Sequence, residues 1–222
     1  MKKAVIFDFD GTIIDTESAW FDIYQEILKE QHGFNLTLEE FVKVVGSTDG
    51  ALFDFIDQSL DVPMDRTIFH DQVNSRFETI REQLALRDGF LETAEQLKKR
   101  NIKLAVASSS SRKWVEGFLT QYGLLDYFPI IVSADDVDEV KPHPAIYKVA
   151  LNQLGITADE AIAVEDSYNG SIAAITAGIH CLIIPNDVTR FLSFHEKGQL
   201  IESFADFDYS LLENEQDDGI AK

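Results

Sequence analysis

Lys3-Ala4-Val5-Ile6-Phe7-Asp8-Phe9-Asp10-Gly11-Thr12-Ile13-Ile14-Asp15 is the stretch on which the reading of this chain turns. The apolar run Ala4–Phe7 has the length and composition of a buried strand. Past Phe7 the chain changes character at once: two carboxylates two residues apart, then Gly-Thr. That pattern suits the loop just past the C-terminal end of a strand, the edge at which open parallel sheets bind ligands. Carboxylates held there repel each other unless something positive lies between them, and a divalent cation is the usual remedy. One of the pair could attack an electrophile while the other handles its proton.

Four more apolar runs read as buried strands: Lys103–Ala107, Pro129–Val132, Ala161–Val164 and His180–Ile184. Helical patterns separate them. Ser111–Tyr122 carries Trp114, Val115, Phe118 and Leu119 at helical spacing and stops at Gly123. Pro144–Leu154 stops at Gly155, and the small apolar stretch Asn169–Ala177 stops at Gly178. Such alternation predicts an α/β fold with a doubly wound parallel sheet. Residues 8–102 intervene between the first two strands, far more than a crossover needs. The excess is helical in pattern, with stripes at Trp20/Tyr24/Ile27/Leu28, Phe41/Val44/Val45, Leu52/Phe53/Ile56 and Ile68/Val73/Phe77/Ile80. The expected organisation is a catalytic core of residues 1–15 and 84–222, with a small all-helical unit at 16–83. Tethered at both ends, that unit could open and close over the sheet edge.

Composition sets outer limits. The 39 acidic residues exceed the 19 basic ones by 20. That charge disfavours a sequence-independent grip on nucleic acid or an anionic membrane. It also obliges any anionic substrate to find local cations or a metal. One cysteine, Cys181, leaves no intrachain disulfide and suits a reducing compartment. It lies within His180-Cys181-Leu182-Ile183-Ile184 and reads as core, not nucleophile. No apolar run has the length of a membrane span, and Asp8 and Asp10 interrupt the N-terminal apolar run too early for a signal peptide. A cytoplasmic protein, monomeric by default, is the expectation. The acidic stretch Glu213-Asn214-Glu215-Gln216-Asp217-Asp218 reads as a frayed end.

Three features recur after later strands, where Asp8 and Asp10 follow the first. Ala107-Ser108-Ser109-Ser110-Ser111 offers hydroxyls and backbone N–H groups at a helix start, suited to a phosphate or simply to capping. Lys141 is a lone cation in the acidic stretch Ser133–Pro142, able to bridge carboxylate and phosphate. Glu165-Asp166 is a second acid pair at a strand end, able to complete an oxygen-ligand site with the first. Parallel topology would bring all four to one edge.

In this order of acid pair, hydroxyl, lysine and acid pair, the chain resembles the haloacid dehalogenase-like (HAD) superfamily over nearly its whole length. It is most similar to the β-phosphoglucomutase-like phosphatase branch. Asp8-Phe9-Asp10-Gly11-Thr12 matches the first family motif, Ser108 the second, Lys141 the third and Glu165-Asp166 the fourth; residues 16–83 look like the family's helical cap. Two departures stand out: Val140-Lys141-Pro142 where Gly-Lys-Pro is frequent, and Arg87-Asp88-Gly89 where Arg-Pro-Gly is frequent. The resemblance implies a phosphoryl-transfer mechanism. Asp8 would attack phosphorus and Asp10 would serve as acid, then base. Mg²⁺ would be held by Asp8, the Asp10 carbonyl and Asp166, with Glu165 at or just behind the ion. Gly11, Thr12, Ser108, Ser109 and Lys141 would hold the phosphate oxygens. The implied substrate is a small phosphorylated metabolite such as a sugar phosphate.

A phosphomutase shares this core, and a non-catalytic phospho-ligand binding module would share the fold. The module would be expected to have lost Asp8, Asp10, Lys141 or the last acid pair, and all are present. Sugar phosphomutases of the branch carry a histidine and an arginine in the cap, where this chain has Ser18-Ala19-Trp20 and Gly46-Ser47-Thr48-Asp49. Hydrolysis is therefore the favoured expectation. Trp20, Gly46, Ser47, Thr48 and Asp49 are the candidates for lining a specificity pocket.

Overall fold

The computed structural model describes residues 1–42, 49–60 and 64–213, with the side chains of 49–52 left aside. Six parallel strands form one sheet: β1 (Ala4–Phe7), β2 (Lys103–Ala107), β3 (Ile130–Val132), β4 (Ala161–Glu165), β5 (His180–Ile183) and β6 (Gln199–Leu200), in the order β3-β2-β1-β4-β5-β6. The chain runs outward one way from β1 to β3, then returns to β1's other side for β4. The reversal lies between β1 and β4, whose register pairs Phe7 with Val164. The loops leaving these two strands therefore diverge over a common crevice.

Alternation along the strands assigns the two faces. Ala4, Ala105, Ala107, Ala161 and Ala163 lie on one side, and their small side chains let α7 (Ala145–Leu154) and α8 (Tyr168–Thr176) approach closely. Val5, Phe7, Leu104, Val106, Ile162 and Val164 lie on the other, meeting α5 (Phe90–Lys99) and α6 (Arg112–Gln121). Phe7, Phe90 and Phe128 pack edge-to-face and stacked beneath that surface.

Between β1 and α5 the chain forms α1 (Thr16–His32), α2 (Leu38–Val42), α3 (Asp49–Ser59) and α4 (Arg66–Ile80). Asp15 caps α1 by accepting from the Ser18 amide at 3.1 Å, and Gly33 closes it at φ 65°. Asp65 caps α4. α1 and α4 pack through Ile23, Ile27, Phe69, Val73 and Phe77, with Tyr24 stacked on Phe69.

Three expectations need correction. The stripe on α4 runs Phe69–Val73–Phe77, with an i,i+4 spacing that keeps one face inward. Ile68, placed on it by the sequence pattern, is rotated off that face and is 55% exposed. β6 went unread, since a two-residue edge strand with both residues exposed carries no apolar run. Glu165 belongs to β4 itself, as a fully buried carboxylate in a strand. Cys181 is buried in the core, as its neighbourhood implied. No described helix is long and apolar enough to cross a membrane. Val44, Val45, Gly46, Ser47, Thr48 and residues 214–218 fall outside the described residues, as do the side chains of Asp49 and Leu52.

Candidate active site

At the C-terminal ends of β1, β2 and β4 the predicted residues come together around a cleft of about 930 Å³. Asp8, Asp10, Ser109, Lys141 and Asp166 line it from the sheet side, along with Ser110, Ser111 and Trp114. Glu17, Trp20 and His70 line it from α1 and α4.

Asp8 leaves β1 at the crevice, its amide donating to the Val164 carbonyl at 2.9 Å. The Lys141 ammonium reaches between Asp8 and Glu165, donating to Asp8 and lying 2.7 Å from Glu165 Oε1. Burial alone would pull the Lys141 ammonium down, but the charges of Asp8 and Glu165 outweigh it and hold it above the usual lysine range. Glu165 also accepts from the Tyr147 hydroxyl. Burial raises its carboxyl, against the opposing pull of Lys141. Space for that carboxylate exists because residue 170 is glycine: a Cβ there would lie 1.9 Å from Glu165 Oε2.

Asp166 accepts from Thr12 Oγ1 at 3.3 Å and from Asn186 Nδ2 at 2.7 Å. Burial raises its carboxyl well above the ordinary range, reinforced by the charges of Asp8, Glu165 and Glu17. Asp8, Glu165 and Asp166 each present an oxygen within 4.8 Å of the others, all buried. A single lysine does not balance three carboxylates, and such an all-oxygen donor set fits a hard divalent cation. Gly11 fits into this corner only without a side chain. Its φ is 79°, and a Cβ would lie 2.3 Å from Asp166 Oδ2. The Gly11 amide donates to the Ile14 carbonyl at 2.7 Å, so in this geometry it is engaged within the loop.

Asp10 is held from three directions. Oδ1 accepts from Trp114 Nε1 at 2.8 Å and Thr16 Oγ1 at 3.2 Å, while Oδ2 accepts from Ser110 Oγ at 2.6 Å and Ser108 Oγ at 3.4 Å. Burial raises its carboxyl, with Asp8 adding to the shift and Ser110, Trp114 and Thr16 opposing it. The serine run divides its labour. Ser111 caps α6, accepting from the Trp114 amide at 3.3 Å. Ser108 is buried beneath Asp10, and its hydroxyl accepts from the Ser110 amide at 3.0 Å. Ser109 faces the cleft. Glu17, in the first turn of α1, is pushed up to about 8 by its dense surroundings and by the charges of Asp10, Asp8 and Asp15.

The sequence reading did not find Asn186, Arg87, Thr16, Tyr147, Trp114, Glu17 or His70, and it offered Ser110 to a phosphate or a helix cap where the structure turns its hydroxyl to Asp10. Some were findable. Pro185-Asn186 follows β5 at the edge where polar residues had already been sought. Arg87 donates from its guanidinium to the carbonyls of Gly11, Ile184 and Pro185 at 2.9, 2.6 and 2.9 Å, clasping the β1 and β5 loops together. Tyr147 and Trp114 carry no such mark, because each occupies an apolar helical position and only its polar tip enters the site.

Known proteins resemble this chain in sequence and fold. Residues 5–184 match the family model for haloacid dehalogenase-like hydrolases. The chain belongs to that family. The Bacillus subtilis (strain 168) protein named "Putative phosphatase YhcW" is 41% identical over 213 residues, 96% of each chain. The phosphorylated carbohydrates phosphatase of Thermotoga maritima is 30% identical over 178 residues, 80% of this chain and 82% of its own. Among solved structures, CbbY from Rhodobacter sphaeroides in complex with xylulose-1,5-bisphosphate superposes with a TM-score of 0.76 at 30% identity, over 96% of this chain and 99% of that one. This HAD-family enzyme is thus a hydrolase whose relatives are named phosphatases.

Proposed function

We propose that the protein is a Mg²⁺-dependent phosphomonoester hydrolase acting on a small phosphorylated metabolite, a sugar phosphate above all, through an aspartyl-phosphate on Asp8. The observation that carries this reading is the convergence of Asp8, Asp10, Lys141 and Asp166 on one cleft. Asp8 is the nucleophile: its carboxylate lies at the cleft floor, oriented by Lys141. Asp10 donates a proton to the departing alcohol and then takes one from the attacking water, for which a raised carboxyl is well suited. Lys141, Ser109 and the Thr12 backbone amide hold the phosphate oxygens. Asp8, Asp166 and the Asp10 carbonyl would hold Mg²⁺, with Glu165 behind them. Bound there, the ion supplies charge neutralisation between the phosphate and the carboxylates, so that catalysis is mostly positioning and electrostatics. Residues 16–83 act as a cap closing over the cleft, with Trp20 at the substrate, and the setting is cytoplasmic, in keeping with a free, buried Cys181.

A sugar-phosphate substrate is supported by the phosphatase and bisphosphate-bound relatives. Hydrolysis over phosphomutase activity is supported by the scarcity of fixed positive charge in the cleft: the one lysine or arginine among its described lining residues is Lys141, already paired with carboxylates. A mutase must grip a second phosphate while the first is transferred.

The test is phosphate release from a panel of small phosphomonoesters with and without Mg²⁺, wild type beside Asp8→Asn, with β-glucose 1-phosphate followed separately for conversion to glucose 6-phosphate. Mg²⁺-dependent release lost in Asp8→Asn is expected. Isomerisation with little free phosphate would make the protein a mutase, and no turnover of any kind would return it to a binding role.

A further inference from the structure

Trp114 belongs by sequence to the apolar face of α6, and most of its ring does what that implies. It packs edge-on against Phe118 at 5.0 Å, tilts against Phe77 at 5.1 Å and stacks with Trp20 at 6.2 Å; the Arg81 guanidinium lies 5.8 Å from its centroid. Trp20 is in turn stacked on Phe77 at 3.9 Å. The indole is therefore wedged between α1 and α4 on one side and α6 on the other. Its single polar atom points the other way, into the cleft, and donates to Asp10 Oδ1 at 2.8 Å.

We infer that Trp114 is a positioning residue for Asp10, setting the plane of its carboxyl group for proton transfer to the leaving group. The inference rests on the proposed phosphatase reading. Three other groups touch Asp10, but all are hydroxyls, which rotate and can accept as readily as donate. An indole N–H only donates, and this one is immobilised by four neighbours. It claims Oδ1 and leaves Oδ2, whose partners Ser110 and Ser108 are hydroxyls able to turn and accept, as the oxygen that can carry a proton. Because Trp20 and Phe77 of the helical segment brace the ring, the orientation of the acid depends on how that segment is seated. A buried indole N–H needs an acceptor, and the one this ring takes is the carboxylate proposed to hand over a proton.

The experiment is Trp114→Phe, which keeps the ring stacking and removes the N–H. kcat/KM reports events up to phosphorylation of Asp8, so two leaving groups are compared: 4-nitrophenyl phosphate, whose phenolate departs without help, and the alkyl phosphate that wild type hydrolyses fastest. The loss on the alkyl phosphate is expected to exceed the loss on the aryl phosphate about tenfold, part of the 10²–10⁴ a complete general acid supplies. In an Asp10→Asn background the same substitution should add no further discrimination, since Trp114 acts through Asp10. Equal losses on both substrates, or full additivity with Asp10→Asn, would overturn the inference and leave Trp114 a wall of the cleft. Two tryptophans make the indole protons separable by NMR. The Trp114 signal should shift upfield and exchange faster in Asp10→Ala, and an unchanged signal would overturn the contact itself. Absence of turnover by wild type would instead defeat the phosphatase reading, and the indole signal would then decide the tether alone.

Discussion

The sheet edge and the helical segment that faces it are built on opposite terms. At the ends of β1, β2 and β4, each carboxylate is answered by a specific partner: Asp8 by Lys141, Asp10 by Trp114 and Ser110, Glu165 by Lys141 and Tyr147, Asp166 by Thr12 and Asn186. Most of these groups are buried, where an unanswered charge is costly and a small displacement is felt. Facing them, α1 and α4 present the broad aromatic surface of Trp20, backed by Phe77, with only Glu17 and His70 as polar punctuation. The first surface is a set of paired polar groups, while the second is mostly an aromatic wall that reaches the polar groups through Trp114. Reaction type should therefore reside in the sheet edge and substrate choice in the helices.

The largest expected effect breaks the sheet edge. Asp8→Asn keeps size and shape but removes the proposed nucleophile, and phosphate release should fall at least about 10³-fold on every substrate. A loss confined to some substrates would place Asp8 in recognition and undo the contrast. Gly170→Ala strikes the same region from behind. Its Cβ would collide with Glu165, a fully buried side chain held by Lys141 and Tyr147. Relief requires Glu165 to abandon one of them. Denaturant unfolding should register a destabilisation of about 1–3 kcal/mol, accompanied by lower activity; an unperturbed midpoint would mean that the corner is loose rather than tightly packed.

A smaller effect is expected at Asn186. Its amide donates to Asp166 Oδ2 and its carbonyl oxygen accepts from the amides of Val188 and Thr189, so it fixes Asp166 to the loop after β5. Asn186→Ala should weaken Mg²⁺ activation about 10- to 100-fold, as loss of a partner behind a metal ligand usually does. Saturating Mg²⁺ should restore most of the rate. Failure of high Mg²⁺ to rescue would indicate that Asn186 serves the loop's fold and not the ligand.

The two regions also differ in how legible they were in the sequence. The central strands were legible because burial on both faces demands continuous apolar runs, and their C-terminal ends were legible because polar residues there break those runs abruptly. Asp8, Asp10, Glu165 and Asp166 were found by that contrast and Lys141 as the lone cation of an acidic stretch, and the family resemblance agreed with both. The interior support of the site was not legible for the same reason in reverse. Tyr147 and Trp114 sit at core positions of α7 and α6, so their rings satisfy the periodicity and their polar tips leave no trace in it. Arg87 and Asn186 lie in connecting loops, where no period exists to be broken. On α4 the pattern admitted two neighbouring residues, and only packing against α1 selected Phe69 over Ile68.

The smallest effect sharpens the comparison from the helical side. Glu17 is partly open to the cleft yet ringed by Asp10, Asp8 and Asp15, which with burial push its carboxyl from 4.5 up to about 8. A carboxyl whose folded pKa is raised keeps its proton in the folded state while the unfolded chain has released it. The folded state therefore binds more protons between those two values, and stability falls as pH rises through that window. Below about pH 4.5 both states are protonated and the penalty is absent; above about pH 8 it is constant. Glu17→Gln removes the charge while keeping the shape. With divalent ions chelated, the variant should match wild type in acid and gain on it as pH rises. Solvent access to the cleft limits the gain to about 1 kcal/mol, or roughly 2–4 °C in Tm for a chain of this size. Parallel Tm curves for the two proteins across this range would show that Glu17 is not under the field of the sheet-edge carboxylates. A widening gap would show that the helices, besides packing against Trp114, answer electrostatically to the sheet-edge carboxylates at the point where α1 leaves them.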